Sequence, residues 1–126
     1  MLIMRFATLA LTMAVGAALA QSPTVPMEFP AEAKPLTADD LHQRVGGKVF
    51  RVKTAAGGAW RLQYQAGGFL YFNAGGYSDS GRWRIDGSKL CSELQKSPAS
   101  CNEMRVAGDA LYLKRDSGEI IKFEPN

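Results

Sequence analysis

Histidine and cysteine are scarce in this 126-residue sequence, which contains one histidine and two cysteines. A site that needs two histidines is therefore excluded. Two thiols and the distant His42 also fall short of the four ligands that structural zinc takes. The G-x-S-x-G, H-E-x-x-H and Walker motifs are absent as well. The sequence thus favours a protein that is not an enzyme, and it indicates no cofactor and no metal.

Acidic residues are missing between Asp40 and Asp79. The basic residues in or just after this stretch are Arg44, Lys48, Arg51, Lys53, Arg61, Arg82 and Arg84. The first half of the chain is therefore basic, whereas the second half is nearly balanced in charge.

A long apolar run occurs only at the N-terminus. Arg5 followed by "FATLALTMAVGAALA" is typical of a signal peptide, and Ala18-Leu19-Ala20 matches the small-x-small pattern that signal peptidase cleaves. No basic cluster follows the run, which argues against a membrane anchor. We predict a signal peptide at residues 1–20 and a periplasmic or secreted mature protein that begins at Gln21, with no transmembrane segment. Removing Arg5 lowers the net charge from +3 to +2.

The mature chain has the length of one small domain. Residues 21–35 hold four prolines and predict an extended N-terminal arm. Residues 36–126 predict a single β-barrel-like domain that begins with a short helix in "LTADDLHQRVGG". Thr37 is placed to cap this helix and Gly46 to end it.

Eight runs with turn-forming residues at their ends follow the helix. They are "KVFRVKT", "WRLQYQ", "FLYFN", "GRWRIDG", "KLCSEL", "CNEMRVAG", "DALYLKRDSG" and "EIIKFEP". Connections this short force neighbouring strands to be antiparallel. We therefore predict a mainly β protein, with about eight antiparallel strands in a meander that forms a small barrel or a strongly curved sheet.

The triplet Ala-Gly-Gly occurs three times between residues 56 and 76. A phosphate-binding glycine loop needs a helix directly after it, so that backbone N–H groups and the helix dipole face the anion. No helical pattern follows any of the triplets, so we predict that they form turns. The third triplet is expected to enter a polar loop at residues 77–80.

Cys91 and Cys101 are the two cysteines, and in an oxidising compartment an even pair predicts one disulfide. If Leu90 and Met104 face the core, the alternation of side chains places both sulfurs on the same outward face of neighbouring strands. A bridge across those strands requires this arrangement.

The segment "GRWRIDGSKLC", with a second cysteine after it, resembles small exported bacterial β-rich proteins of unknown function that carry a G-x-W-x-[I/V]-x-G-x-x-L-C…C pattern. The matching positions are Gly81, Trp83, Ile85, Gly87, Leu90, Cys91 and Cys101. The resemblance covers residues 36–123. It implies the fold and export, and it implies no activity.

Strand alternation also supplies a functional hypothesis. If Phe50, Trp60 and Trp83 point inward, the basic residues of the same strands point outward, and the aromatic strand "FLYFN" lies between them. The candidate ligand-binding residues are Arg51, Lys53, Arg61, Tyr71, Arg82 and Arg84. We expect a non-catalytic binding or accessory module for an anionic partner, such as an acidic protein patch, a glycan or a lipid headgroup. The net charge of only +2 argues against nucleic acid, and a merely solvated surface is the alternative.

Two other functions stay open from the sequence. A small periplasmic hydrolase would use a pair of carboxylates, either Asp79 with Asp86 or Glu93 with Glu103. An envelope inhibitor or immunity protein would plug another enzyme's site with a loop. The candidate loops are residues 74–80 and 95–100.

Overall fold

The computed structural model describes residues 24–126, so the predicted signal peptide and Gln21 lie outside the described residues. The described part of the chain contains one helix and nine strands. In chain order these are β1 (Lys34–Pro35), α1 (Ala38–Val45), β2 (Lys48–Lys53), β3 (Ala59–Tyr64), β4 (Phe69–Ala74), β5 (Tyr77–Asp86), β6 (Lys89–Leu94), β7 (Ser100–Ala107), β8 (Ala110–Lys114) and β9 (Ile120–Pro125).

Strands β2 to β9 form a closed antiparallel barrel. Each strand pairs with the next one along the chain. The barrel closes where β9 returns to β2, with Arg51 opposite Glu124. Strand β1 adds a ninth strand at β7, where Lys34 lies opposite Val106. The predicted eight-stranded meander is confirmed, and it is a closed barrel rather than a curved sheet.

Helix α1 covers one end of the barrel. The Thr37 hydroxyl accepts a hydrogen bond from the Asp40 backbone amide, as expected of an N-cap. Leu41 and Val45 are completely buried against the barrel, since they lie on the same face of the helix. The His42 ring lies 5.2 Å from that of Trp83. We call this end of the barrel the closed end.

Aromatic side chains fill the closed end. The Tyr64 ring lies edge-on to Trp83 at 5.7 Å and to Phe50 at 6.1 Å, and it stacks on Phe123 at 6.1 Å. Burial raises the pKa of the Tyr64 hydroxyl well above its usual range. The opposite end has no helix over it among the described residues, and we call it the open end.

The N-terminal arm lies against the barrel. The Pro26 carbonyl accepts a hydrogen bond of 2.8 Å from the Ile120 backbone amide. The guanidinium of Arg105 lies 4.5 Å from the centre of the Phe29 ring. These contacts, together with β1, attach the proline-rich segment along β7 and β9. Among residues 24–126, no helix has the length and apolar character needed to cross a membrane.

The polar loop predicted at residues 77–80 is wrong, because these residues belong to β5. Ala74 pairs with Tyr77, which leaves only Gly75 and Gly76 in the turn. Gly75 has a φ of 61°, a conformation that two-residue hairpin turns require and that glycine adopts without strain. The turn is therefore tighter than the polar composition suggested, and residues 74–80 belong to the β4–β5 hairpin rather than to a loop.

The predicted disulfide between Cys91 and Cys101 is confirmed. The two residues lie directly opposite each other on β6 and β7, with their Cα atoms 4.0 Å apart. Both side chains are on the outer face, as strand alternation predicted, because Leu90 and Met104 are buried inside. Cys91 is nevertheless buried. Its other ladder neighbour is Arg84, whose guanidinium lies 3.9 Å from the Cys101 sulfur and so crosses the bridge.

Candidate functional site

The outer surface of β2 to β5 carries the six candidate ligand-binding residues, and we call it the basic face. Arg51 and Arg61 lie directly opposite each other on β2 and β3, and both are exposed. Like charges in this position repel each other across the ladder. Within residues 24–126, no ion pair involves any of the predicted basic residues, which are Arg51, Lys53, Arg61, Arg82 and Arg84.

Aromatic rings are exposed on the same face. On the aromatic strand β4 the structure turns Phe69 and Tyr71 outward, with 44% and 42% of their surfaces exposed, and turns Leu70 and Phe72 inward. Phe69 lies opposite Arg82 on β5, and the guanidinium carbon is 4.9 Å from the ring centre. A cation over an aromatic face at this distance is attracted by the ring quadrupole. The predicted aromatic surface between basic strands is therefore present.

The strand register divides the basic residues into two groups. Arg61 pairs with Asn73 on β4, whereas Arg82 pairs with Phe69, four residues further along. Two strand spacings and four residues of rise separate their backbones by about 16 Å. The first group is therefore Arg51, Lys53 and Arg61. The second group is Arg82 and Arg84.

Tyr71 connects the two groups. It lies opposite Gln63 on β3 and Ser80 on β5. Arg61 comes two residues before Gln63 and Arg82 two residues after Ser80, so both are diagonal neighbours of Tyr71. Diagonal neighbours are within reach of aromatic and long side chains. The basic face thus consists of two cationic groups with an exposed phenol between them.

The first predicted carboxylate pair does not come together. Asp79 and Asp86 are seven residues apart on β5, which corresponds to about 23 Å and to opposite faces of the strand. Burial alone would raise the pKa of Asp79. Hydrogen bonds from the backbone amides of Lys96, Ser80 and Gln95 and from the Tyr77 hydroxyl outweigh it, and the pKa is lowered. Asp79 therefore anchors the loop after β6.

The second pair is also separated. In the β6–β7 ladder Glu103 lies opposite Lys89, which is four residues from Glu93, so one strand spacing and four residues of rise separate the two backbones by about 14 Å. Paired carboxylates of glycoside hydrolases lie about 5–9.5 Å apart. Glu103 instead forms an ion pair of 3.0 Å with Arg105.

A partly buried ion pair at the open end was missed by the sequence analysis. Glu119 is buried, and it accepts hydrogen bonds from the Ala55 amide at 3.1 Å and from Arg115 at 2.7 Å. The bond from Ala55 and the Arg115 charge outweigh burial and lower the pKa of Glu119. The Arg115 guanidinium lies 4.8 Å from the centre of the Trp60 ring. Arg115 and Glu119 are only four residues apart, but Ala55 and Trp60 come from a distant part of the chain, so no local pattern reveals the whole cluster.

Metal ligands are not grouped in the structure. Among residues 24–126, no three side chains of histidine, cysteine, aspartate or glutamate are placed to hold a metal ion. The six candidate residues of the basic face are five cations and one phenol, and the cations attract anions rather than metal ions.

The chain was also compared with known proteins. No protein-family model, curated protein or solved structure matches it. The resemblance carried by Gly81, Trp83 and the two cysteines therefore stays a prediction.

Proposed function

We propose that the protein is a non-catalytic binding module whose basic face contacts an anionic partner. The observation that carries the proposal is the pair of arginines at positions 51 and 61, opposed across one ladder without an ion pair in the described structure. Like charges in this position repel each other, and Glu124, which lies opposite Arg51 on β9, offsets part of the repulsion although it forms no ion pair with Arg51 in the described structure. An anion bound between the two guanidinium groups would remove the rest.

An acidic glycan fits this surface best. The two cationic groups lie about 16 Å apart, a separation that suits a chain with repeated negative charges better than a single anion. The exposed rings of Phe69 and Tyr71 lie between the groups. Flat aromatic faces are suited to stacking on sugar rings, whose C–H groups point above and below the ring. An acidic protein patch and an anionic lipid headgroup are the competing partners.

Charge reversal tests the proposal. We expect Arg61→Glu, Arg82→Glu and Arg84→Glu together to weaken binding to heparin, used as an acidic glycan probe, by about tenfold or more. A control with the same change in net charge reverses lysines that are neither opposite nor diagonal to the six residues in the ladders: Lys34→Glu, Lys48→Glu and Lys114→Glu. All three lysines are exposed. Equal losses in the two triple variants would show a non-specific charge effect and contradict the proposal.

A second arm of the same experiment separates the partners. Vesicles with and without anionic lipid replace heparin, and flotation measures the bound fraction. Binding to anionic vesicles but not to heparin would favour a lipid headgroup. Binding to heparin that weakens between low and physiological salt is the result we expect, because exposed charges are screened over about 8 Å at that ionic strength.

Export is proposed on the N-terminal sequence and on the disulfide. Disulfides persist in oxidising compartments and are rare in the cytosol, and Cys91 and Cys101 are bridged. We expect the mature protein to begin at Gln21, in the periplasm or the medium. An intact-mass measurement on protein from a bacterial host tests this expectation. A full-length mass from the cytosolic fraction would contradict it.

A further inference from the structure

The open end of the barrel contains a cavity of about 490 Å³. It exists because the inward positions of β6 and β7 carry small polar side chains at this level, whereas aromatic rings fill the closed end. The small residues are Ser92, Ser100 and Asn102. Small-molecule sites in proteins have volumes of about 300–1,000 Å³, and eight-stranded barrels are wide enough to hold one small ligand.

The wall opposite these polar residues is apolar. Leu62, Leu70 and Ile121 are buried in the core, and together with Leu113 they face the cavity. Aromatic rings form the rim of the opening. Phe72 lies edge-on between Trp60 at 5.4 Å and Tyr77 at 5.9 Å. An apolar body that passes this rim would bury its surface against the leucines, which is favourable in proportion to the area removed from water.

The polar residues offer hydrogen bonds to one side of such a ligand. The hydroxyls of Ser92 and Ser100 are 3.4 Å apart, and either one can donate to the other. Asn102 donates through Nδ2 to the Lys114 carbonyl at 3.0 Å and to the Asp116 carboxylate at 2.9 Å. Its carbonyl oxygen is then the group left to accept a hydrogen bond from a ligand.

The charges at the rim are already paired. Among the described residues that line the cavity, the one cation is Arg115. Its guanidinium is bound to Glu119 at 2.7 Å and stacked on Trp60. Asp116 adds a negative charge at the same rim. A ligand with a carboxylate or phosphate head would find no unpaired cation here, and burying its charge would be costly.

We propose that the open half of the barrel binds a small neutral amphiphile. Its hydrocarbon or aromatic body lies against the apolar wall that includes Leu62 and Leu113, and its hydroxyl group lies at Ser92, Ser100 and Asn102. This site lies inside the barrel and is independent of the basic face on its outside. The two sites also differ in ligand chemistry, since one takes neutral molecules and the other anions.

Fluorescence of the neutral probe N-phenyl-1-naphthylamine tests the site. We expect saturable binding to the wild-type protein and displacement by 1-decanol at a concentration at least tenfold lower than by decanoate, which is ionised at pH 7.4. Absence of saturable binding would overturn the proposal. Equal displacement by decanol and decanoate would overturn its claim that the head is neutral.

Filling the cavity provides the matched variants. Ser92→Leu with Ser100→Leu replaces the polar strip with bulk, and we expect it to weaken probe binding at least tenfold. Ser80→Leu makes the same chemical change on the outer face of β5 and is expected to leave probe binding unchanged. Equal probe affinity in the filled variant and the wild type would overturn the proposal.

A second measurement does not depend on how well the filled variant folds. In a methyl NMR titration of the wild-type protein with 1-decanol, we expect shifts at Leu62, Leu113 and Ile121. Val52, a core methyl-bearing residue that does not line the cavity, serves as the reference. Shifts absent from the three cavity residues, or equal at Val52, would overturn the proposal.

Discussion

Removing the disulfide is the perturbation whose magnitude follows most directly from the structure. Cys91 and Cys101 close a short hairpin with a sequence separation of 10. In the chain-entropy treatment, closing a loop of this length raises the free energy of the unfolded chain by about 3 kcal/mol at 25 °C. The folded barrel holds the same strands together through the ladder pairs on either side, Leu90–Asn102 and Ser92–Ser100. The stability lost on removing the disulfide should therefore arise mainly from the greater entropy of the unfolded state.

We expect Cys91→Ser with Cys101→Ser to lower the free energy of unfolding by about 2–4 kcal/mol without abolishing the fold, since domains of this size are stable by about 5–15 kcal/mol. Urea unfolding, followed by tryptophan fluorescence, measures the loss. The urea dependence should also steepen, because an unbridged unfolded chain exposes more surface.

Cys91 is buried, so a serine there adds a second cost. Cys91→Ala with Cys101→Ser controls for it, because alanine buries no hydroxyl. A loss below about 1 kcal/mol in this control variant would refute the account. A loss of about 3 kcal/mol with an unchanged urea dependence would also refute it, because the loss would then not arise in the unfolded state.

Three further predictions concern single residues. The pKa of Asp79 is lower in the folded protein than in the unfolded chain, so its carboxylate stabilises the fold above the unfolded-state pKa, and this stability is lost as the pH falls through the folded-state pKa. In acid unfolding, Asp79→Asn should therefore lose less stability with falling pH than the wild type does. Gly81→Ala should destabilise the protein severely, since its Cβ would collide with the Glu93 carbonyl, whereas Gly76→Ala meets open space and should melt close to wild type. Thr37→Ala should cost about 1 kcal/mol in thermal unfolding by removing the helix cap, and an unchanged melting temperature would contradict that role.

The strands were predictable because their signal is local. Alternation of side chains predicted the inward positions of Phe50 and Trp83 and the outward positions of the arginines, and all of these agree with the burial. Closure of the barrel was not predictable to the same degree. It depends on the pairing of the last strand with the first, for which residues 48–53 and 120–125 carry no local signal.

The candidate site was only partly predictable for the same reason. Alternation gives the face on which a side chain lies, but register decides which side chains are neighbours. The division of the basic face depends on Arg61 pairing with Asn73 and Arg82 with Phe69. The burial of Asp79 was missed because its neighbours Ser78 and Ser80 are also polar, so this part of β5 shows no alternation of apolar and polar residues.

The salt dependence of heparin binding tests the central claim most directly. If Arg61 and Arg82 both contact one glycan chain, the variant Arg61→Gln with Arg82→Gln should bind more weakly. Its logarithm of affinity should also fall less steeply with the logarithm of salt concentration, because fewer counterions are released on binding. The account predicts a shallower slope for this variant than for Lys34→Gln with Lys114→Gln, two exposed lysines on β1 and β8. Identical slopes for the two variants would contradict the claim that the basic face is the binding site.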